Sequence, residues 1–295
     1  MRFEKWQALG NDYVVIEAAA LPWELTAERI ERICAPHFGI GSDGILLLSR
    51  PEDDRHVAEL RIFNPDGSEA ELSGNGARQA VLYLRAAGWT DRDTFTILTR
   101  AGELKPTITG AGAVSMAIGR ASLTSADYPS GPDDGTGTLS AGGREWAFRH
   151  VKVGNPQCVI EADDELEALE IASFGRQIET HELFPNRTNV SFIRVDGSRV
   201  RARIFERGVG ETLSSGTGAS GAAVAAFLAG APSPITVTLD GGELSVEVSA
   251  ELDLTLTGTA SCVYSGELDP DFVAELGRAA TSSSASLAAT TPKAR

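Results

Sequence analysis

The sequence lacks the long apolar runs from which membrane spans are built. Its longest apolar stretch lies around residues 222–231, about half of the roughly 20 residues that a bilayer-spanning helix needs. The first ten residues, MRFEKWQALG, hold no apolar segment of the kind found in secretory signals. We therefore expect neither a membrane anchor nor export, and predict a cytoplasmic protein.

Cysteine, histidine and positive charge are also scarce. The cysteines Cys34, Cys158 and Cys262 are far apart and form no Cys-x-x-Cys pair, which argues against a disulfide framework and a zinc cluster. The four histidines are scattered, so we predict no metal site. With 26 basic and 41 acidic residues, the formal net charge is −15. Such a surface repels phosphate backbones and anionic lipids, so we expect neither nucleic acid nor a membrane as a partner.

What is present is the composition of a globular protein in two similar halves. The 295 residues are 42% hydrophobic and 23% charged, which excludes a disordered or fibrous chain. GNDYVVIE at Gly10 resembles GNPQCVIE at Gly154, and the twenty residues from Arg61 match those from Arg203 at nine positions, where average composition would give about one or two. We interpret the halves as two copies of one domain.

The repeat predicts an α/β (α+β) fold of two pseudo-symmetric lobes, each a curved, mostly antiparallel sheet around a central helix. The predicted helices span residues 76–87 and 218–228, and the run TVTLDGGELSVEVS is typical of a hairpin. The expected divisions are an N-terminal lobe at 1–115, completed by 256–278, a C-terminal lobe at 116–255, and a disordered tail at 279–295. The Ser-, Gly-, Pro- and Asp-rich segment 126–143 is the expected connection between lobes.

The strongest local signal is SGNGAR at Ser73 and its equivalent SGTGAS at Ser215. Each places Ser-Gly-x-Gly at the head of a helix, where free backbone N–H groups bind anions. A single such turn is more often a helix cap than a site. Because the motif occurs twice, we expect both serines to line one cleft, on opposite sides of a small substrate, which suits inversion of a stereocentre.

Several stretches together resemble the diaminopimelate epimerase family, within a wider fold family that includes proline racemase. They are LGNDYVVIE, GIGSDGILLL, RIFNPDGSEAELSGNGAR, VGNPQC, FPNRTNVSF and ERGVGETLSSGTGAS. The resemblance covers the chain up to about Gly277. It implies a cofactor-independent isomerase of lysine and peptidoglycan precursor biosynthesis, acting on a small amino acid, with a homodimer as the expected assembly. Two cysteine thiols would move the α-proton, and the motif places them at Ser73 and Ser215.

The resemblance also implies a set of substrate-binding residues. Asparagines would hold the distal end of the amino acid, Arg207 its distal carboxylate, and Glu206 its ammonium group. Main-chain groups at the two helix starts would hold the α-carboxylate, and Gln157 stands where the family motif usually has histidine. The remaining residues of the set are Asn11, Asn64, Gly74, Asn75, Asn155, Asn189, Gly216 and Thr217.

Serine in place of cysteine is a large chemical departure. A helix N-terminus can convert a thiol with a pKa of about 8.5 to a thiolate. A hydroxyl with an acidity near that of water, about 15.7, lies roughly seven pKa units higher, on the order of 10 kcal/mol, which a helix dipole worth about 1 kcal/mol does not supply. An experiment designed to trap substrate would leave histidine at position 157. The presence of Gln157 therefore favours native over engineered serines.

Three hypotheses about the function remain open. The first is an amino-acid epimerase, and the second is a ligand-binding paralogue without catalysis. The third is a related isomerase or dehydratase in which Glu206 or another carboxylate is the base. Dinucleotide binding through SGNGAR is excluded, because the glycine spacing is not G-x-G-x-x-G.

Overall fold

In this computed structural model, residues 1–110 and 112–286 are described, without the side chains of residues 164 and 279–286. The chain divides into two compact units. Unit 1 comprises Met1–Gly112 and the chain from Ala260 onward, and unit 2 comprises Ala113–Thr259. These boundaries lie three and four residues from the divisions expected at 115 and 256. The chain therefore leaves unit 1 once and returns to it.

The described residues form strands β1–β19 and helices α1–α5. In chain order these are β1 (Arg2–Ala8), β2 (Asn11–Glu17), α1 (Ala27–Cys34), β3 (Ile45–Ser49), β4 (Ala58–Phe63), β5 (Glu69–Ala70), α2 (Gly74–Ala86), β6 (Ile97–Thr99), β7 (Gly102–Leu104), β8 (Thr107–Gly110), β9 (Ala113–Arg120), β10 (Thr136–Ala141), β11 (Arg144–Val153), β12 (Asn155–Glu161), α3 (Ile171–Glu179), β13 (Asn189–Asp196), β14 (Arg199–Glu206), β15 (Gly210–Thr212), α4 (Gly216–Leu228), β16 (Ile235–Leu239), β17 (Gly242–Val248), β18 (Asp253–Thr259), β19 (Ser261–Glu267) and α5 (Pro270–Ser286). Short 3₁₀ turns span Ala18–Ala20 and Asp163–Ala168.

The sheets of the two units have the same internal order. In unit 1 the strands run β19-β1-β2-β3-β4-β6-β7, with β5 beside β4. In unit 2 they include β11-β12-β13-β14-β16-β17, with β15 beside β14, flanked by β10 at one side and by β18 and β9 at the other. The parallel pairs are β2/β3 and β4/β6 in unit 1, and β12/β13 and β14/β16 in unit 2. This correspondence confirms the duplication and the mostly antiparallel sheets.

One face of the sheet in each unit is covered by the serine-capped helix. Helix α2 contacts β1 to β4 and β19, and helix α4 contacts β11 to β14 and β16 to β18. Helix α4 is buried from Gly218 to Ala226 because it presents small apolar residues on all sides. A Cβ atom at Gly218 would lie 2.6 Å from Ile204 Cδ1, and one at Gly76 would lie 3.0 Å from Leu46 Cδ2. A larger residue at either position would therefore require Ile204 or Leu46 to move, so glycine allows the closest approach of each helix to its sheet.

The other face of the unit 1 sheet is covered by α1 and α5. Ile30 and Ile33 of α1 and Leu276 of α5 pack with Val14 and Ile16 of β2. In unit 2, the equivalent cluster gathers aromatic residues, including Trp146, Phe184 and Phe192, beneath α3. Strands β2 and β12 are thus covered on both faces, which explains why each reads as a continuous apolar run.

Three expectations about element bounds need correction. Helices α2 and α4 begin at Gly74 and Gly216, two residues before the predicted starts, because Ser73 and Ser215 cap them. Segment 126–143 does not connect the units; it lies inside unit 2 and contains β10, which pairs with β11. Helix α5 extends to Ser286, so residues 279–286 are helical rather than disordered, since alanine and serine can continue a helix that has already begun. The remainder of the predicted tail, 287–295, lies outside the described residues.

Within the described part of the chain, no helix is both long and apolar enough to cross a membrane.

Candidate active site

Each unit gathers its predicted site residues at one edge of its sheet. In unit 1, β2 begins at Asn11, and Asn64 directly follows the end of β4. In unit 2, β12 begins at Asn155, β13 begins at Asn189, and β14 ends at Glu206. Because β12 and β13 are parallel and β14 is antiparallel to β13, these strand ends meet at the same edge. In both units, the helix that the serine motif caps follows these strands in the chain.

Ser73 is the N-cap of α2. Its backbone is extended (φ −131°, ψ 120°), and its Oγ accepts a hydrogen bond from the N–H of Gly76 at 3.1 Å. A second contact comes from the buried Tyr13, whose phenol donates to Ser73 Oγ at 3.5 Å. Burial raises the pKa of Tyr13, which keeps its proton at neutral pH. Ser73 is therefore held by two donors.

The first turn of α2 rests on a buried cation. Arg78 is fully buried, and its guanidinium donates to the carbonyl oxygen of Gly74 at 3.2 Å and to Asn75 Oδ1 at 2.6 Å. Among the described residues Arg78 Nε has no hydrogen-bond partner and the side chain makes no ion pair. Burial lowers the Arg78 pKa to about 10, so the guanidinium is charged at neutral pH. The helix start predicted to bind a carboxylate thus carries a positive charge behind it.

The two asparagines of unit 1 are fixed by neighbouring loops. Asn11 Nδ2 donates to Asp43 Oδ2 at 2.9 Å, while the Asn11 carbonyl oxygen accepts from Gln79 of α2 at 3.0 Å. Asn64 Nδ2 donates to Ser68 Oγ at 2.9 Å within the turn that leads to β5. These bonds set the orientation of both amides before any ligand binds.

In unit 2 the predicted amides contact one another. The Nε2 group of Gln157, which is fully buried, donates to Asn155 Oδ1 at 2.6 Å. Gln157 and Asn189 are register partners on β12 and β13. Asn189 Nδ2 donates to the carbonyl oxygen of Pro156 at 3.1 Å. Gln157 Oε1 has no hydrogen-bond partner among the described residues, so one buried acceptor of this amide group is unused.

Ser215 caps α4 as Ser73 caps α2, but its second partner differs. The N–H of Gly218 donates to Ser215 Oγ at 3.2 Å, and Ser215 Oγ itself donates to Glu206 Oε2 at 3.2 Å. The other carboxylate oxygen of Glu206 accepts from Thr212 Oγ1 at 2.8 Å. Burial raises the pKa of Glu206, while these two hydroxyls act in the opposite direction.

Arg207 is exposed, next to Glu206, and its main chain is fixed. Its N–H donates to Asn189 Oδ1 at 2.7 Å, and its Nη1 donates to the carbonyl oxygen of Asn186 at 2.9 Å. Glu179, the last residue of α3, is buried and accepts from the N–H of Gly208 at 2.6 Å and from Arg187. The turn that presents Arg207 is therefore anchored from beneath by a carboxylate.

Comparisons with known proteins find relatives that match most of the chain. The family model described as diaminopimelate epimerase matches residues 3–124 and 149–263. Diaminopimelate epimerase 2 of Nostoc sp. is 41% identical over 282 residues, covering 93% of this chain and 98% of that protein. Diaminopimelate epimerase of Azoarcus sp. is 39% identical over 274 residues, covering 91% and 99%. The chain belongs to the diaminopimelate epimerase family. Its fold also resembles the crystal structure of a phenazine biosynthesis protein of the PhzF family from Bacillus anthracis, with a TM-score of 0.67 at 19% identity, covering 91% of this chain and 99% of that chain.

In this member of the diaminopimelate epimerase family, the predicted site residues are divided between the two units, five in unit 1 and eight in unit 2. Residues of the set that lie in unit 1 are Asn11, Asn64, Ser73, Gly74 and Asn75. Those in unit 2 are Asn155, Gln157, Asn189, Glu206, Arg207, Ser215, Gly216 and Thr217. Within the described residues, no cluster of three or more His, Cys, Asp or Glu side chains could hold a metal ion.

Among the residues that contact this set, sequence reasoning missed Tyr13, Arg78 and Thr212. A signal for the first was present in the repeat, since Tyr13 and Gln157 both stand two residues after the first asparagine of their strand. Arg78 lies inside the SGNGAR motif, where Ser220 is its equivalent. Ser220 Oγ donates to the carbonyl oxygen of Gly216 at 2.7 Å. A neutral group in unit 2 thus makes the contact that a cation makes in unit 1.

Proposed function

We propose that this protein is an amino-acid epimerase that interconverts LL- and meso-diaminopimelate without a cofactor. The observation that carries the proposal is the repeated helix start, in which a serine caps α2 and α4 with the same hydrogen bond to the third residue of the helix. Each helix start offers N–H groups to a carboxylate. A relative that is 41% identical bears the name diaminopimelate epimerase 2.

Substrate binding is assigned to the edges of the two sheets. The α-carboxylate lies against the main chain of Gly74 and Asn75 and of Gly216 and Thr217. Arg207 receives the distal carboxylate, because its exposed guanidinium stands on an anchored turn. The remaining assigned residues have side chains that hold the distal end of the substrate or an ammonium group. They are Asn11, Asn64, Asn155, Gln157, Asn189 and Glu206.

Proton transfer is assigned to Ser73 and Ser215, in place of the thiols of the family motif. Neither hydroxyl becomes an alkoxide at neutral pH, because the gap to a thiol is roughly seven pKa units. A hydroxyl that passes a proton onward needs no alkoxide, provided that a stronger base accepts the proton. Glu206 at Ser215 is such a base.

We assign the protein to the cytoplasm and expect a homodimer. All three cysteines are free, as in proteins of a reducing compartment. Strand β19 lies at the edge of the unit 1 sheet and exposes Val263 and Tyr264 at 55% and 42%, an apolar edge that a second copy would cover. A monomeric mass in sedimentation equilibrium would contradict the dimer.

The test of function is isotope exchange. Incubation with LL-diaminopimelate in deuterated water is expected to give α-deuterium and the meso product, both measured by mass spectrometry and chiral chromatography. Binding in calorimetry without exchange or product would instead identify a ligand-binding protein without catalysis. A dehydrated product with no meso isomer would identify the related carbanion reaction.

A further inference from the structure

The two serine hydroxyls have opposite hydrogen-bond polarity. A serine hydroxyl has one proton to donate and two lone pairs that accept. Ser215 gives its proton to Glu206 and uses one lone pair for the N–H of Gly218, so one lone pair remains to accept. Ser73 accepts from both Gly76 and Tyr13, so its proton remains to donate. Equivalent residues are therefore prepared for opposite tasks.

Glu206 is suited to hold a proton that reaches it through Ser215. Both of its oxygens are already held by hydroxyls, Oε2 by Ser215 and Oε1 by Thr212. Within the described residues no cation forms an ion pair with Glu206, and the neighbouring Arg207 donates to a main-chain carbonyl instead. Burial raises the pKa of this carboxyl group, which makes it a stronger base than an exposed glutamate.

We propose that Glu206 is the final acceptor of the substrate's α-proton and that the Ser215 hydroxyl relays the proton to it. This inference rests on the proposed function and goes beyond the ammonium-binding role that the resemblance implies for Glu206. Each carboxylate oxygen can accept a second hydrogen bond, so the relay does not prevent Glu206 from also contacting an ammonium group.

The step balances without a co-reactant. The Cα–H bond breaks, its proton forms a new O–H bond at Ser215 Oγ, and the original hydroxyl proton of Ser215 moves to Glu206 Oε2. The electron pair stays on the substrate, delocalised into the α-carboxylate. Ser215 begins and ends as a neutral hydroxyl, while Glu206 changes from carboxylate to carboxylic acid. No alkoxide is formed at any stage.

Proton return follows from the polarity of Ser73. Its free proton passes to the substrate carbanion, and the Tyr13 phenol replaces that proton, giving a tyrosinate that recovers a proton from solvent. At 3.5 Å the Tyr13–Ser73 contact is longer than an ordinary O–H···O bond. In unit 1 no carboxylate occupies the position of Glu206, since the equivalent residue is Asn64. Unit 2 therefore offers a hydroxyl coupled to a base, and unit 1 offers a hydroxyl with a proton to donate.

The experiment compares Glu206→Gln, Ser215→Ala and Tyr13→Phe with the wild type. With LL- and meso-diaminopimelate in deuterated water, the wild-type exchange rate is expected to rise with pH through the Glu206 pKa and then level. The Gln variant should lose at least about 100-fold in exchange, while the dissociation constant for substrate, from calorimetry, changes by no more than about tenfold. Tyr13→Phe should slow formation of the inverted product more than it slows exchange of the starting epimer.

A readout independent of turnover is the titration of Glu206 itself. In protein with labelled glutamate carboxyls, carbon NMR of Ser215→Ala should show a higher Glu206 pKa than the wild type, because the hydroxyl that stabilises the carboxylate is gone. Thr212→Val is the matched control: it should raise the same pKa while Ser215 still relays, so that most exchange is retained. This comparison remains informative if the Gln variant does not fold.

The outcomes separate the relay from the proposed function. If Glu206→Gln exchanges the α-proton within threefold of the wild-type rate, and its rate still falls at low pH, the relay is overturned. The proposed epimerase function is then unaffected. An effect of Glu206→Gln confined to the dissociation constant assigns Glu206 to ammonium binding alone and likewise overturns it. A wild-type protein that neither binds nor exchanges diaminopimelate removes the proposed function as well.

Discussion

Unit 1 and unit 2 share a sheet order and a serine-capped helix, but they differ in the side chains that surround the two serines. Where unit 1 has Tyr13 and Asn64, unit 2 has Gln157 and Glu206. A buried guanidinium supports the start of α2, whereas a neutral hydroxyl supports the start of α4. The duplicated backbone thus places the same serine twice, and the side chains around it decide whether its hydroxyl donates a hydrogen bond or only accepts.

This difference matters because inversion needs unlike groups at one moment. A base must remove the proton from one face while an acid supplies it to the other. In a thiol pair the two groups interchange roles by changing protonation state. With serines, whose hydroxyls do not ionise, the proposed relay assigns the roles to Glu206 and Tyr13, so the two directions of reaction would require different protonation states of the free protein.

The largest expected effect comes from making the two units chemically alike. Ser73→Cys combined with Ser215→Cys should raise α-proton exchange by at least about 100-fold, because each helix start still favours a thiolate, which is about four pKa units more basic than a glutamate. The measurement is deuterium incorporation into LL-diaminopimelate by mass spectrometry. Each single variant should exchange poorly or from one epimer alone, giving strong non-additivity.

Its control is binding of the ligand by all three variants. A double variant that binds diaminopimelate and stays inert would contradict the expectation that only the acid–base pair is deficient. Adding Gln157→His then separates a missing third group from a site adapted to another substrate. Gln157 packs against Gly221, where a Cβ would lie 2.9 Å from Gln157 Cγ, so the imidazole would have to fit the same narrow space.

A smaller effect is expected from the charge at the start of α2. Arg78→Met keeps the side-chain volume but removes the positive charge, so KM for diaminopimelate should rise about tenfold, equivalent to about 1.4 kcal/mol. Folding stability should change less, since a buried charge without an ion pair is removed together with its hydrogen bonds. Steady-state kinetics and urea unfolding measure the two effects.

Ser220→Ala is the matched change in unit 2, because Ser220 supports the equivalent carbonyl group without charge. It should alter KM less than twofold. An equal rise of KM in both variants would mean that the helix starts depend on the lost hydrogen bond rather than on the charge of Arg78.

The smallest effect concerns two histidines that titrate in opposite directions. Hydrogen bonds to Asp53 and Glu103 raise the pKa of His56 in unit 1. Burial lowers the pKa of His150 in unit 2, where Ser125 is its partner and Asp127 and Lys152 lie nearby. The stabilisation from His56 is therefore complete below about pH 6.5 and is lost as pH rises through its folded-state pKa. His150 destabilises the fold as pH falls below about 6.5.

Proton NMR titration and urea midpoints between pH 5 and 8 measure this contrast. His56→Gln should flatten the loss of stability at higher pH, because the raised pKa of His56 is then absent. Titration of His56 and His150 on the same side of about pH 6.5 would contradict the assigned environments.

Much of this molecule could be predicted from its sequence, because the repeat is strong and the other signals are short sequence patterns. The serine motifs, the apolar helix α4 and the hairpin of β16 and β17 all follow from short patterns, and the structure confirms them. The composition of residues 126–143 misled, because glycine, serine and proline predict a loop. In the fold Tyr128 is buried and β10 pairs with β11, so packing overrode the local preference.

The sequence by itself determined the duplicated fold, the family and the residues at the two helix starts, since these depend on spacing along the chain. The tertiary structure alone decided the polarity of the two serine hydroxyls. Tyr13 is sixty residues from Ser73 and Glu206 nine from Ser215, and only the pairing of strands brings each to its hydroxyl. Hydrogen bonding acts over about 3 Å, so the polarity of each serine hydroxyl is fixed by contacts that no single motif contains.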